Sequence, residues 1–241
     1  MIQFSGRGLL LDIEGTTSPI QFVYEVMFPY VRTHLDAYLA GHWDEPELAE
    51  ACRLIAADAG CTSLDDLLGP GSDDEQRRRV AAEVTRQMDA DLKATGLKQL
   101  QGLIWHDGFM SGALRAEVYD DVPPALLRWT KAGRDVRIYS SGSIAAQKLF
   151  FGHTVAGNLL PYFHGHYDTT LGSKREAASY TAIAGEFGLP LAEILFVSDV
   201  LEELIAARDA GLATALCVRP GNKTVVCQHG FEEVYSFEVI G

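Results

Sequence analysis

The run Gly8-Leu9-Leu10-Leu11-Asp12-Ile13-Glu14-Gly15-Thr16-Thr17 constrains the fold of this chain more than any other stretch. Leu9 to Leu11 show no polar alternation, so the pattern predicts a strand buried on both faces, as in a parallel sheet. The strand stops at two carboxylates, at i and i+2, followed by a glycine and two hydroxyls. Open α/β sheets bind ligands at the carboxyl ends of their strands. There, Asp12 and Glu14 are candidates to hold a divalent, oxygen-preferring cation, and one of them to attack phosphorus. Gly15 permits a tight turn whose N–H groups could face an anion. Asp-x-Glu-Gly-Thr alone is equally compatible with an ordinary acidic turn, so the downstream residues decide.

Helical patterning fills residues 20–115. Phe22, Val23, Val26 and Met27 share one face, and Pro29 is placed to start a second helix through about Leu39. Asp44 reads as an N-cap before Pro46 and Glu47, with Gly60 closing that helix. Ser72 and Glu75 form a capping-box pattern opening a charged helix to about Leu92. Arg77-Arg78-Arg79 follows Asp73-Asp74-Glu75, which suits a solvated helix face with i, i+4 pairing better than a polyanion site. Leu103 to Gly112, rich in aromatics and glycines, reads as a connector near a site rather than a regular helix.

From Asp121 onward the pattern alternates strictly between strand and helix. Pro123-Pro124 open a helix ending at Gly133, and Val136–Tyr139 form a strand that stops at Ser140-Ser141-Gly142-Ser143. A helix carrying Ile144, Leu149 and Phe150 ends near Gly152. Ser173 and Glu176 suggest a second capping box, opening a helix to about Phe187. Strands are expected at Ile194–Val197 and Ala213–Val218, around a helix over 200–210 closed by Gly211. The fold class is therefore α/β: a doubly wound parallel sheet with an inserted helical cap. Residues 1–19 and 116–241 are assigned to the sheet core and 20–115 to the cap. That cap leaves the core at the carboxyl end of the first strand, where closure over a ligand is its natural role.

A net charge of −13 argues against nucleic acid or an anionic membrane as the main partner. An anionic substrate then needs a local positive site. Cys52, Cys61, Cys217 and Cys227 make no Cys-x-x-Cys pair, which points to free thiols in a reducing cytoplasm and away from zinc. Met1 to Arg7 carry no apolar signal stretch, and no run is long enough to span a membrane.

Four strand ends or helix starts carry chemically capable residues: Asp12 with Glu14, Ser140 with Ser141, Lys174, and Asp199. A lysine in the first turn of a helix opposes the helix dipole, a conflict that a bound anion would remove. The combination points to phosphoryl transfer through an aspartyl-phosphate on Asp12, with Mg²⁺ between Asp12 and Asp199. Ser140, neighbouring N–H groups and Lys174 would hold the equatorial oxygens, and Glu14 would protonate the leaving group and later activate water.

These motifs, in this order, resemble the haloacid dehalogenase-like phosphatases, and within them the enolase-phosphatase (acireductone synthase) family of methionine salvage. The resemblance covers nearly the whole chain. It rests on Asp12 to Ile20, Phe22-Val23, Phe28-Pro29-Tyr30, Gly102 to Trp105 with Gly108, and Tyr119 to Pro123. It continues in Tyr139 to Ser143, Gln147 to Phe150, and Val218-Arg219-Pro220-Gly221-Asn222. It implies a Rossmann-like core, Mg²⁺, a monomer in the cytoplasm, and no nucleic-acid or membrane partner. Asp12 and Glu14 would be catalytic, Ser140, Ser141 and Lys174 substrate-binding, and Asp12, Glu14 and Asp199 metal-binding, with Glu14 acting through its main-chain carbonyl. Glu202 and Glu203 complete a late acidic motif without assigned roles. The implied reaction enolises 2,3-diketo-5-methylthiopentyl-1-phosphate and then dephosphorylates it. Which group removes the carbon-bound proton is not legible; Glu14 and a cap carboxylate are the candidates. The alternatives are a phosphatase of another small metabolite, a dehalogenase, which would not need the metal-binding acids, and a non-enzymatic phospho-acceptor domain, whose accepting Asp follows a later strand. His164, His166 and Asp168 fit strand alternation better than a second metal. Trp43, Trp105 and Trp129 fit packing, with Trp105 the candidate exception.

Overall fold

In the computed structural model, which describes residues 4–226 and 228–241, Leu9, Leu10 and Leu11 lie wholly buried in β1 (Gly8–Leu11). The remaining strands are β2 (Asp135–Tyr139), β3 (Gly165–Tyr167), β4 (Ile194–Ser198), β5 (Ala213–Cys217) and β6 (Glu232–Val234). They form a six-stranded sheet in the order β3-β2-β1-β4-β5-β6, with every pairing parallel. Leu11 pairs with Ile138 on one side and Val197 on the other. The chain winds one way from β1 and then resumes on its other side at β4, which opens a ligand crevice at the β1–β4 switch point. Edge strand β3 lies within the alternation read at His164 to Asp168, whereas β6 was not expected: it is short and exposes Glu232 and Glu233, so its hydrophobic pattern is too brief to register. Cys227 and Met1 to Gln3, read above as a free thiol and as part of the N-terminal stretch, lie outside the described residues. Cys52, Cys61 and Cys217 are free thiols.

The chain divides into two compact units, Met1–Val23 with Arg115–Gly241, and Tyr24–Leu114. In the second, helices α1 (Phe28–Gly41), α2 (Pro46–Asp58), α3 (Leu64–Leu68), α4 (Asp73–Asp89) and α5 (Thr95–Met110) surround a core that includes Val31, Leu35, Leu39, Ile55, Val80, Val84, Leu100 and Ile104. A π-helical stretch over Phe22–Met27 runs directly into α1, so Pro29 sits in its first turn. Glu45, not Asp44, occupies the N-cap of α2, and α4 stops at Asp89 rather than Leu92. Glu75 does reach back to accept from the Ser72 N–H at 2.8 Å. Arg77 pairs with Asp74 at i, i+3 rather than the expected i, i+4, and Arg79 donates to the Leu68 carbonyl, so these two arginines serve their own helix and the preceding turn. The stretch taken as a connector, Leu103 to Gly112, is mostly the second half of α5. Gly108 answers to packing, since a Cβ on it would come within 2.8 Å of the Tyr30 ring and of Leu114. Trp105 donates its indole N–H to the Met27 carbonyl at 2.9 Å, a packing role. Arg77 stacks over Trp43, and Trp129 is buried in the sheet unit.

Four helices flank the sheet: α6 (Val122–Lys131), α7 (Ile144–Gly152), α8 (Ala177–Phe187) and α9 (Leu201–Ala210). Ser143 caps α7 by accepting from the Ala146 N–H at 3.2 Å. The second capping box does not form. Ser173 Oγ accepts from Arg175 N, the Glu176 N–H closes a turn on the Ser173 carbonyl, and α8 begins only at Ala177. Lys174 therefore lies in a turn ahead of the helix, and the expected clash with a helix dipole is absent.

His166 on β3 is a structural residue. Gln147 Nε2 donates to the Gly142 and Tyr167 carbonyls, each at 2.8 Å, which leaves Gln147 Oε1 as an acceptor for His166 Nδ1–H at 3.2 Å. Asp168 accepts from the N–H groups of Ile144 and Thr170. Burial, helped by Lys148, pushes the His166 pKa down to about 4. The folded protein thus takes up this proton less readily than the unfolded chain does. The resulting stability is complete above the ordinary histidine pKa and is lost as pH falls toward that lowered value. The His166 contribution is read as a difference between proteins: from about pH 7 to about pH 5 the urea midpoint of the wild type should drop relative to that of His166→Gln. In the helical unit, Gly96→Ala places its methyl on the Ile55 main-chain nitrogen. Despite alanine's better helix propensity, it should destabilise by about 1–3 kcal/mol in urea titration.

Candidate active site

The loop after β1 is built by one carbonyl. Ile13 O accepts from the N–H groups of Thr16, Thr17 and Ser18 at 3.2, 3.0 and 3.0 Å. Gly15 adopts φ +69° and donates to Ser18 O at 2.8 Å. Any side chain at Gly15 would meet the Asp199 carboxylate, so glycine is required twice over, by conformation and by space. Asp12 continues the β4 ladder through its N–H to Val197 O at 3.1 Å, which fixes its side chain at the sheet's carboxyl edge.

That side chain is 3% exposed and fully engaged. Oδ1 accepts from Ile13 N at 2.8 Å and from Lys174 Nζ at 2.7 Å, and Oδ2 accepts from Ser198 Oγ at 3.2 Å. Lys174 is buried, and its carbonyl accepts from the buried Tyr180 hydroxyl at 2.6 Å. Its ammonium also pairs with Glu203 Oε2 at 2.6 Å. Burial opposes the Lys174 charge, but the Asp12 and Glu203 carboxylates outweigh it, and the lysine pKa rises. Glu203 projects from the first turn of α9 and contacts Ser198 Oγ at 3.0 Å. Burial first, and the Asp12 charge second, push Glu203 up to about 7.

Glu14 Oε2 accepts from Ser140 Oγ at 3.3 Å, and Ser140 Oγ in turn accepts from Gly142 N at 3.3 Å. Burial, then the charge of Asp12, raise the Glu14 pKa. The same two causes push Asp199 up to about 7. The fold thus gathers Asp12, Glu14, Ser140, Lys174 and Asp199 at one edge of the sheet. Ser141 and Glu202 are exposed. Glu203 as the second partner of Lys174, and Ser198 between the two carboxylates, were not foreseen. The available signals were the position of Glu203 one helical turn after Asp199 and the adjacency of Ser198 to Asp199.

Whether a divalent cation fits can be judged from charge and donors. Asp12, Glu14, Asp199 and Glu203 face one ammonium, and three of the four acids have raised pKa values, so this pocket lacks positive charge. Among the described residues no three His, Cys, Asp or Glu side chains are grouped closely enough to hold a metal ion. An ion here would therefore draw on Asp12, Asp199 and main-chain oxygen, with water completing its shell. Such a donor set, all hard oxygen and few in number, suits Mg²⁺, which keeps several waters.

Residues 7–211 match the family model described as haloacid dehalogenase-like hydrolase. The chain is 44% identical over 226 residues to Enolase-phosphatase E1 of Salmo salar, covering 89% of this chain and 85% of that protein. It is 46% identical over 215 residues to Enolase-phosphatase E1 of Pseudomonas aeruginosa, covering 89% and 91%. Among solved structures, the UTR4 protein of Saccharomyces cerevisiae superposes with a TM-score of 0.80 at 32% identity, covering 98% of this chain and 100% of that one.

The buried ion pairs yield a stability test. Lys174→Met leaves Asp12 and Glu203 facing each other without a cation and should destabilise by about 3–5 kcal/mol in urea titration. Adding Glu203→Leu should recover part of that loss, because the double variant removes one of the two stranded charges.

Proposed function

The chain belongs to the enolase-phosphatase family of haloacid dehalogenase-like hydrolases, and on that premise we propose that it enolises 2,3-diketo-5-methylthiopentyl-1-phosphate and hydrolyses the product to 1,2-dihydroxy-3-keto-5-methylthiopentene and phosphate. The observation that carries the reading is Asp12, buried at the end of the central strand with its carboxylate on the Lys174 ammonium at 2.7 Å.

In the phosphatase step an Asp12 carboxylate oxygen attacks phosphorus, and the bond from phosphorus to the substrate's C1 oxygen breaks. Lys174 and Ser140 hold the phosphoryl oxygens, whose charge is greatest in the transition state. Glu14, with its raised pKa, is suited to carry the proton that the leaving oxygen takes. Water then attacks the aspartyl-phosphate, Glu14 accepts its proton, and Asp12 is restored. Phosphatases of this superfamily are generally Mg²⁺-dependent. In this chain Asp12, Asp199 and the Glu14 carbonyl would hold the ion, which when bound lowers the repulsion between the nucleophile and the phosphoryl group. In the enolase step a proton leaves the carbon next to a carbonyl and the carbonyl oxygen gains one. Glu14 is our candidate for that base. By the same resemblance the helical unit acts as the cap that selects the substrate, Ser141 joins the phosphate contacts, and the protein works as a cytoplasmic monomer. Among the described residues no helix is long and apolar enough to cross a membrane.

Following the diketo phosphate by ultraviolet absorbance and phosphate release together, with Mg²⁺ and then with EDTA, tests both steps. A transient enol band followed by stoichiometric phosphate is expected, with EDTA suppressing turnover. Release of phosphate from a generic aryl phosphate, without turnover of the diketone, would retain the phosphatase and reject the substrate. Asp12→Asn should lower phosphate release on the order of 10³-fold or more. Full-rate enolisation by Glu14→Gln would exclude Glu14 as the carbon base.

A further inference from the structure

The sequence Val218-Arg219-Pro220-Gly221-Asn222 has no part in the chemistry above, yet it grips the nucleophile loop. Asn222 Nδ2 donates to the Gly15 carbonyl at 2.9 Å, and Arg219 Nε donates to the Thr16 carbonyl at 3.2 Å. The guanidinium is itself fixed. Its Nη1 pairs with Asp121 Oδ2 at 2.9 Å and donates to Tyr235 O at 3.1 Å, with the Tyr119 and Phe237 rings 4.4 and 4.8 Å from its carbon. The Asn222 N–H closes the turn on the Arg219 carbonyl at 3.1 Å, so both donors belong to one turn.

Accounting for the loop's carbonyls shows what this grip accomplishes. Asp12 O accepts from Thr17 Oγ1, Ile13 O from three N–H groups, and Thr17 O from Tyr119 N. With Gly15 and Thr16 taken by Asn222 and Arg219, Glu14 has the one carbonyl from Asp12 to Thr17 that lacks a protein donor among the described residues. A second, independent feature lies beside it. Asn222 Oδ1 is buried with no hydrogen-bond partner among the described residues. A Cβ built on Gly15 would lie 2.8 Å from that oxygen and against the Asp199 carboxylate, so the two acceptors flank the same glycine. A buried acceptor beside a carboxylate is unfavourable unless a donor arrives, and the hydration water of a cation is such a donor.

We propose that Arg219 and Asn222 are positioning residues for divalent-cation binding: they occupy the Gly15 and Thr16 carbonyls, leave the Glu14 carbonyl for the ion, and offer Asn222 Oδ1 to its water shell. This rests on the metal-dependent phosphatase reading. Outer-shell partners of this kind change metal affinity by about 10–100-fold when removed.

The test measures Mg²⁺ binding to the substrate-free protein by titration calorimetry, together with the thermal midpoint in EDTA and in Mg²⁺. Asn222→Ala should bind Mg²⁺ about 10-fold or more weakly. Its midpoint in EDTA should fall as the Gly15 carbonyl loses its donor, and the further rise produced by Mg²⁺ should shrink relative to that of the wild type. Asn222→Asp keeps the shape and the Oδ1 acceptor but cannot donate to Gly15. It should also bind more weakly, despite an added negative charge beside the site. Wild-type affinity in Asn222→Ala, or tighter binding in Asn222→Asp, overturns the proposal. A wild-type protein that binds no Mg²⁺ at millimolar concentration overturns the metal-dependent reading, and this proposal with it.

Discussion

The arrangement depends on a buried ammonium. Lys174 holds Asp12 and Glu203 at 2.7 and 2.6 Å in a region from which water is largely excluded. Without it, two carboxylates at the end of the central sheet would face each other unpaired, a situation costing several kcal/mol. The fold commits substantial structure to keeping it there. Tyr180 of α8 anchors its carbonyl, and Ser198, at the end of β4, bridges the two acids. Strands β1 and β4, helices α8 and α9, and the turn before α8 thus meet on one charge.

A single ammonium does not balance the site. Glu14, Asp199 and Glu203 all have raised pKa values, each for the same two reasons: burial and the charge of Asp12. A pocket this deficient in positive charge suits the divalent cation proposed for it. The two acids of the first loop are also held differently. Asp12, the proposed nucleophile, is tied to a lysine and to a main-chain N–H. Glu14, the proposed proton carrier, is hydrogen-bonded to a serine hydroxyl and has a raised pKa.

Much of this was legible in the chain. The apolar run ending at Asp12, the matching runs at Val136 and Ile194, and the helices between them specify a parallel sheet because both faces of such strands must be apolar. Edge strand β6 escaped because Glu232-Glu233-Val234 offers one buried side chain. Leu103 to Gly112 was misjudged for the opposite reason. Local composition argued against a helix, but Gly108 is needed where the Tyr30 ring approaches α5, a fact about another helix altogether. Ser173 and Glu176 had the spacing of a capping box, but Ser173 Oγ accepts from Arg175 N and the Glu176 N–H bonds to the Ser173 carbonyl, which closes a turn instead.

By itself the sequence determined the identity and order of the chemical groups: two carboxylates at the end of the first strand, a hydroxyl on the second, then a lysine and a late acid. Spacing sets these, since strand and helix periods follow from local sterics and from which side chains avoid water. Only the tertiary structure decided how the groups pair. That Glu203 rather than Glu202 meets Lys174, that Ser141 stays exposed, and that Arg219 and Asn222 hold the carbonyls of Gly15 and Thr16 are contacts between segments far apart in the chain. Such pairings depend on the register and twist of whole elements, which no local pattern encodes.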